Sequence, residues 1–195
     1  MFLGAVFFVL FSLYFIFSTF ISGELTPVVE SAVAFSGQIN QINKEQVDLG
    51  LPVRLKIPAI KVDAAIEYVG LTLDGAMDTP KNQEDVAWFN LSPRPGEIGS
   101  AIITGHYGWK NRKASAFDNL YKLRKGDKLY VEDDMGAIIT FVVRENRRYD
   151  PDADATYILN SGDKKAHLNF ITCEGDWDKT TKSYSKRLVV FTDKE

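Results

Sequence analysis

Along most of the chain apolar and polar residues alternate over short distances, the period-two pattern of strands half-buried in a sheet. Seven stretches carry it: VRLKIPAI (53–60), AAIEYVGL (64–71), SAIITG (100–105), DKLYVED (127–133), IITFVVRENRRY (138–149), HLNFITC (167–173) and RLVVFTD (187–193). Glycines in LDGAM (73–77), KGD (125–127) and MGA (135–137) suit the turns between them. One segment, SAFDNLYKL (115–123), has a helical period, with Phe117, Leu120 and Tyr121 at i, i+3 and i+4 and Ser115 placed to cap. Short strands separated by turns between residues 51 and 195 predict a mainly-β domain, a closed or nearly closed antiparallel barrel with one or two short helices.

The beginning of the chain breaks this pattern. Phe2 to Ser22, FLGAVFFVLFSLYFIFSTFIS, has no charged side chain and is apolar all round. As a helix it would extend roughly 31 Å, about the thickness of the hydrocarbon layer of a bilayer. A buried core helix would be amphipathic, and a cleavable signal peptide would have a shorter apolar core and a small-residue cleavage site. Neither fits clearly, although VVESAVA (28–34) contains small residues. Residues 1–23 are therefore read as a single-pass transmembrane anchor. No Lys or Arg precedes the span and the next is Lys44, so the positive-inside rule has little to act on. Glu24 and Glu30 mildly favour an outward C-terminal part. Residues 24–50, with Pro27, Gly37, Gly50 and the polar run QINQINKEQ, read as a spacer before a domain at 51–195.

Charge and cysteine content narrow the chemistry. The net charge of −3 at pH 7 argues against a nucleic-acid binder, which normally shows a concentrated basic face. A lone cysteine, Cys173, excludes an intrachain disulfide, and His106 and His167 are the only histidines.

Such a cysteine is ordinarily a small buried hydrophobe. Cys173, however, ends an apolar run, and Glu174-Gly175-Asp176 follow at once, which places it at a sheet rim. His167 is read on the same strand and the same face, but roughly 20 Å away, too far to exchange a proton with it. His167 is therefore read as a surface or strand-start residue. His106 repeats the placement of the cysteine, since SAIIT gives way to Gly-His. With the two strand ends aligned in one sheet, the imidazole approaches the thiol; alone, it is equally a structural histidine. Arg187 begins the strand after a loop of thirteen residues, EGDWDKTTKSYSK, so an antiparallel return makes it a cross-strand neighbour of Cys173. A bland reading makes it a snorkelling edge residue. Thiol, imidazole and guanidinium together suffice for acyl transfer through a thioester.

These residues resemble a sortase. NFITC with Cys173, ITGH with His106 and SKRLVVF with Arg187 match the family's motifs in the family's order, supported by RLKIPAIKVDAAI and PRPGEIGSAIITGH. The resemblance covers Leu51 to Glu195. Asn169 departs from it, standing where a Thr or Ser is common, while Thr172 is kept. The resemblance implies an eight-stranded sortase β-barrel that cuts an LPxTG-like sorting signal on a secreted protein and joins the new carboxyl end to an amine, commonly that of a cell-wall peptide. It implies Cys173 as nucleophile, His106 as general acid/base, and Arg187 as holder of substrate and oxyanion with Thr172 nearby. It also implies an outward-facing domain at the cell membrane. The chain has no second apolar span at its C-terminus and no Asp-Pro-aromatic lid in the spacer, which leans away from pilus-polymerising members and toward the class E or class F groups.

In the family the loop before the cysteine strand walls the peptide groove. Here that is Pro151 to Ala166, where Ala155, Tyr157, Ile158 and Leu159 would meet an apolar sorting residue or pack the barrel. Trp177 and Tyr184 would line the other side or pack within their loop. Some sortases use calcium, but the acidic runs EDD (132–134) and DPDAD (150–154) lack metal-loop spacing, so they read as solvated charge and no cofactor is expected. Two further readings stay open: a tethered cysteine peptidase with water as acceptor, and a non-catalytic surface-binding barrel with a buried thiol.

Overall fold

The computed structural model describes residues 49–108, 114–154 and 156–195. The expected anchor at 1–23 and most of the spacer lie outside the described residues, as does Ala155 and the side chain of Tyr157. Among the described residues no helix is long and apolar enough to cross a membrane.

Eight strands close into a barrel: β1 (Pro52–Ile57), β2 (Val62–Val69), β3 (Val86–Phe89), β4 (Gly99–Gly105), β5 (Lys128–Asp133), β6 (Ile138–Tyr149), β7 (Ala166–Asp178) and β8 (Ser183–Lys194). Their order around the barrel is β1-β2-β3-β4-β7-β8-β6-β5. Closure leaves no strand edge along the barrel wall to pair with another chain. The only helical pieces among the described residues are short: 3-10 turns at Pro58–Ile60 and Leu120–Lys122, and a single turn, α1 (Thr156–Leu159).

Two features depart from the expected antiparallel barrel. β2 pairs with β3, and β4 with β7, in parallel. β3 itself, VAWF, carries no alternation because all four residues are buried, and a short, wholly apolar run has no period to read.

The expected helix at 115–123 is also absent; turns and the 3-10 piece take its place. Phe117, Leu120 and Leu123 are fully buried in the barrel core, so the segment is shaped by plugging the barrel rather than by a helical face. Ser115 does not cap. Its hydroxyl bonds to Gln83 Oε1 at 2.7 Å and to the carbonyl of Gly108.

The strands bury two faces. Inside the barrel, Leu55, Val86, Ile103, Phe141, Phe170 and Val190 belong to one core. On the outer wall Phe89, Ile102, Val189 and Phe191 form a second cluster, covered by Ile158 of α1 and packed against by Met77, Tyr149 and Ile171. Along β7, Leu168 and Phe170 point in, so His167, Asn169, Ile171 and Cys173 share the outer face.

EDD is not solvated charge throughout. Asp133 is 2% exposed and accepts N–H bonds from Gly50, Met135 and Ala137, and Asp134 accepts one from Leu51. Burial pushes the Asp133 carboxyl up, but these backbone donors outweigh it and hold it below the ordinary value.

Candidate active site

The thiol does not sit at the end of its strand, as the sequence suggests. β7 continues from Cys173 to Asp178, and β8 begins at Ser183, so most of the expected loop is a hairpin of two paired strands. What stops at Cys173 is the third strand. β4 pairs with β7 only as far as Thr104 opposite Ile171. β6 follows β8 as far as Arg187, opposite Cys173, and past that row β7 and β8 run on alone, so Cys173 lies where the barrel wall gives way to a projecting ribbon.

Arg187 is the direct cross-strand partner of Cys173, and Tyr149 of β6 is the partner of Arg187 on its other side. A bulge in β6 between Val143 and Glu145 shifts its register, and this places Tyr149 in the outer row. Tyr149, Arg187 and Cys173 thus form one row across three strands. Arg187 Nη1 donates to the carbonyls of Tyr184 (3.1 Å) and Lys186 (3.0 Å), and Nη2 to Ser183 Oγ (3.0 Å). Those bonds fix the guanidinium against the ribbon. They use three of its five N–H donors and leave two for other partners.

His106 reaches the same level because β4 and β7 are parallel. Parallel neighbours bring their C-terminal ends to one side, which an antiparallel pair would have sent to opposite sides. The Thr172 hydroxyl donates to the Gly105 carbonyl at 2.8 Å and carries the register one step past the last ladder pair, so His106 leaves β4 beside Cys173. Glycine at 105 has a local reason. A Cβ there would collide with the buried Phe117 ring, which plugs the barrel directly beneath.

The imidazole Nε2 lies 2.7 Å from the Pro80 carbonyl. A carbonyl only accepts, so Nε2 carries the hydrogen and a neutral ring presents its lone pair at Nδ1. Cys173 is half-buried, and burial pushes its thiol above the ordinary value, with the positive charge of Arg187 pulling weakly the other way. At neutral pH the resting thiol is protonated, and attack needs a base close by. Iodoacetamide should accordingly label Cys173 slowly at pH 7 and faster as pH rises past 9, and Arg187→Ala should shift that profile to still higher pH. Labelling at pH 7 as fast as that of a small free thiol would overturn this reading.

The thiol opens on a cleft of about 440 Å³. Its walls come from Ala76 and Met77 on one side, Tyr149 to Pro151 and Ile158 on the other, with Ile171 and Val189 at its base, so the lining is mainly apolar. A larger recess of about 660 Å³ shares Thr79 with it but holds none of the three candidate groups and is lined by polar side chains such as Glu67, Asp78 and Lys81. The smaller cleft is lined by Cys173, the candidate nucleophile, and by Arg187, whereas His106 is not among its lining residues.

Of the residues expected around the substrate, Ile158 lines this cleft. Thr172 does as well, though it is 3% exposed and its hydroxyl is engaged by Gly105. Leu159, Trp177 and Tyr184 do not line it. Leu159 points outward, half exposed. Trp177 and Tyr184 pack edge-to-face on the ribbon with ring centroids 5.1 Å apart, and Tyr184 meets Tyr107 in the same way at 5.3 Å. His167 is not a surface residue. It starts β7 as expected, but it is 2% exposed and both ring nitrogens bond to carboxylates.

Sequence reading missed Ala76, Met77, Tyr149 and Asp150. The first two lie in what reads as a turn, and a bulky methionine in a glycine turn was the one available signal. Arg148 and Glu174 were also missed: a bidentate ion pair, at 2.5 and 3.0 Å, joins β6 to the residue that follows the thiol.

Comparison with known proteins agrees with this geometry. The family model described as the sortase domain matches residues 55–195. No curated protein sequence matches the chain. Among solved structures, sortase C-1 from Actinomyces oris is 26% identical, with a TM-score of 0.59 and alignment over 80% of this chain and 81% of that one. Sortase C1 from Streptococcus agalactiae, solved in complex with MTSET, is 25% identical over 73% of this chain and 66% of that one, with a TM-score of 0.57. Sortase A from Corynebacterium diphtheriae, 22% identical over 83% and 68% with a TM-score of 0.58, shares the fold. With an eight-stranded barrel of this topology and the sortase domain spanning nearly all of its described residues, the chain belongs to the sortase family of cysteine transpeptidases.

Proposed function

We propose that this sortase is a membrane-anchored enzyme that cuts an LPxTG-like sorting signal on secreted proteins and transfers the cut chain to an amine of a cell-wall peptide. The observation that carries the chemistry is the row of Cys173 and Arg187 beside the end of β4, opening on an apolar cleft.

Peptide bound in the cleft presents the carbonyl between Thr and Gly to the thiol. His106 takes the Cys173 proton as sulfur attacks the carbonyl carbon, and the two free donors of Arg187 face the oxyanion that forms. Collapse of this intermediate breaks the C–N bond, and the imidazolium returns its proton to the departing amine. A thioester on Cys173 remains. The acceptor amine then loses a proton to His106, attacks the thioester and releases the thiolate, which His106 reprotonates. Each proton taken is returned, so no redox partner or metal is required by the balance. Apolar side chains from Met77, Ile158, Ile171 and Val189 suit an aliphatic residue of the signal.

Anchoring by Phe2–Ser22, with the barrel outside the cell, is supported by the length and charge-free composition of that segment and by the need of such an enzyme to stay near secreted chains. The test is to incubate the full chain with a fluorescent Leu-Pro-Xaa-Thr-Gly peptide, with and without triglycine. An amine-linked product should accumulate at the expense of the hydrolysed one. Hydrolysis indifferent to amine would replace transfer by the peptidase reading, and no cleavage of any such peptide would overturn the proposed substrate.

A further inference from the structure

The outer face of β7 carries four residues in succession: His167, Asn169, Ile171 and Cys173. Ile171 lines the cleft and Cys173 is the candidate nucleophile. The mechanism uses neither His167 nor Asn169, yet both are 2% exposed and polar, and a polar side chain is buried at a cost unless it is bonded. Both bond to the same segment. Asn169 Nδ2 donates to the carbonyl of Ile158 at 2.7 Å, a buried bond. His167 Nε2 lies 2.8 Å from Asp163 Oδ1, and its Nδ1 lies 2.8 Å from Asp193 Oδ1, on its cross-strand partner in β8. The first tie falls within α1 and the second four residues beyond its end, and Ile158 is the residue this segment inserts over the outer cluster and into the cleft wall.

We propose that His167 and Asn169 are positioning residues: a two-point latch on β7 that holds the Ile158 wall of the peptide cleft at a set distance from Cys173. This rests on the reading of that cleft as the sorting-peptide site.

The two ties are complementary. The amide fixes α1 through its backbone carbonyl, so the contact does not depend on which side chain stands at 158. The imidazole clamps the far end of the segment to β8 through two carboxylates. Carboxylates only accept, so both contacts are hydrogen bonds only when each ring nitrogen carries a hydrogen. Around it stand Asp163 on the segment, Asp193 on β8, and Arg144, Glu145 and Arg147 on β6, with the uncharged Ser100 on β4. Arg144 pairs with Asp193, so one of the two carboxylates that hold the ring is itself held by a guanidinium, and Arg147 pairs with the neighbouring Glu145. The bond from His167, followed by the Lys165 N–H, pulls the Asp163 carboxyl down to about 2, which fits a contact formed in the folded chain.

The experiment uses the full chain and two variants that touch opposite ends of the latch, Asn169→Ala and Asp163→Ala, with Asp163→Glu as the conservative control. Binding of a fluorescent Leu-Pro-Xaa-Thr-Gly peptide is measured in a Cys173→Ala background, and KM and kcat are measured in the active enzyme. Amide hydrogen exchange is followed across 151–163. Each of the two alanine variants should weaken peptide binding and raise KM about tenfold, on the scale of one buried hydrogen bond, with kcat within about twofold of the parent. Exchange should quicken across 151–163 and stay unchanged in β4, β7 and β8, and Asp163→Glu should recover most of both effects. Unchanged exchange in both alanine variants would overturn the latch, as would faster exchange spread over the whole barrel, which marks general destabilisation. Exchange needs no substrate, so it decides the latch even if the peptide proves not to bind; failure of the unmodified enzyme to bind it strikes the functional reading instead.

Discussion

Replacing Cys173 by alanine is expected to abolish both cleavage and transfer while leaving the barrel intact. The thiol is the only sulfur nucleophile in the chain, and no other residue in the cleft can form a thioester. Arg187 would still line the cleft, but without a covalent intermediate the acyl group cannot wait for an amine. Loss of a covalent nucleophile typically costs on the order of 10⁵ to 10⁶ in kcat. The structural cost is small by comparison. Cys173 is half-buried on an outer face, outside the interior core, and alanine there removes one sulfur atom. A change of about 1 kcal/mol or less is expected, a few degrees in Tm for a domain of this size. Mass spectrometry of the parent enzyme quenched with peptide should show an acyl adduct on Cys173, and the variant should show none. Retained turnover in Cys173→Ala would remove thioester chemistry from this protein.

Arg187→Ala is expected to lower kcat by about 10² to 10³, equivalent to ~2.7–4 kcal/mol, the scale of a lost oxyanion donor. Three consequences combine in that loss. The cleft gives up the two donors proposed to face the oxyanion. The thiol loses the one positive charge that offsets its burial, so its thiolate fraction at any given pH falls. The ribbon loses bonds to Tyr184, Lys186 and Ser183 that keep β8 in place beyond the barrel. Arg187→Lys separates these. A lysine keeps the charge but not the planar fork, so it should restore the alkylation profile of Cys173 and leave turnover depressed. Full activity in the lysine variant would show that charge alone was needed and that no oriented donor acts on the oxyanion.

The parts of the fold that were legible in the sequence are those set by local pattern. All seven expected strands exist, 138–149 with both ends as expected and the others with an end displaced by one to five residues, because alternation of apolar and polar side chains is a property of neighbours in the chain. The pairing of Cys173 with Arg187 was legible for a similar reason: one reversal joins consecutive strands, and the choice of partners is narrow. The misses share another cause. β3 is buried on both faces and so shows no alternation. Residues 115–123 have a helical spacing, yet Phe117, Leu120 and Leu123 answer to the open end of a barrel built by strands far away in sequence. His167 looked exposed because nothing local announces the carboxylate of Asp193, which reaches it from the last strand.

By itself the sequence determined which residues could do chemistry, since one thiol, two imidazoles and a strand-leading arginine leave few choices, and it determined where the chain would extend and turn. Only the tertiary structure decided that β4 lies parallel to β7, which is what brings His106 to the level of Cys173, and that Met77 and Ile158 close the cleft over the outer wall rather than filling the barrel. Alternation states that successive side chains face opposite ways. Which face becomes the interior, and which distant strand lies alongside, depends on contacts between residues far apart in the chain, and those are set when the barrel closes.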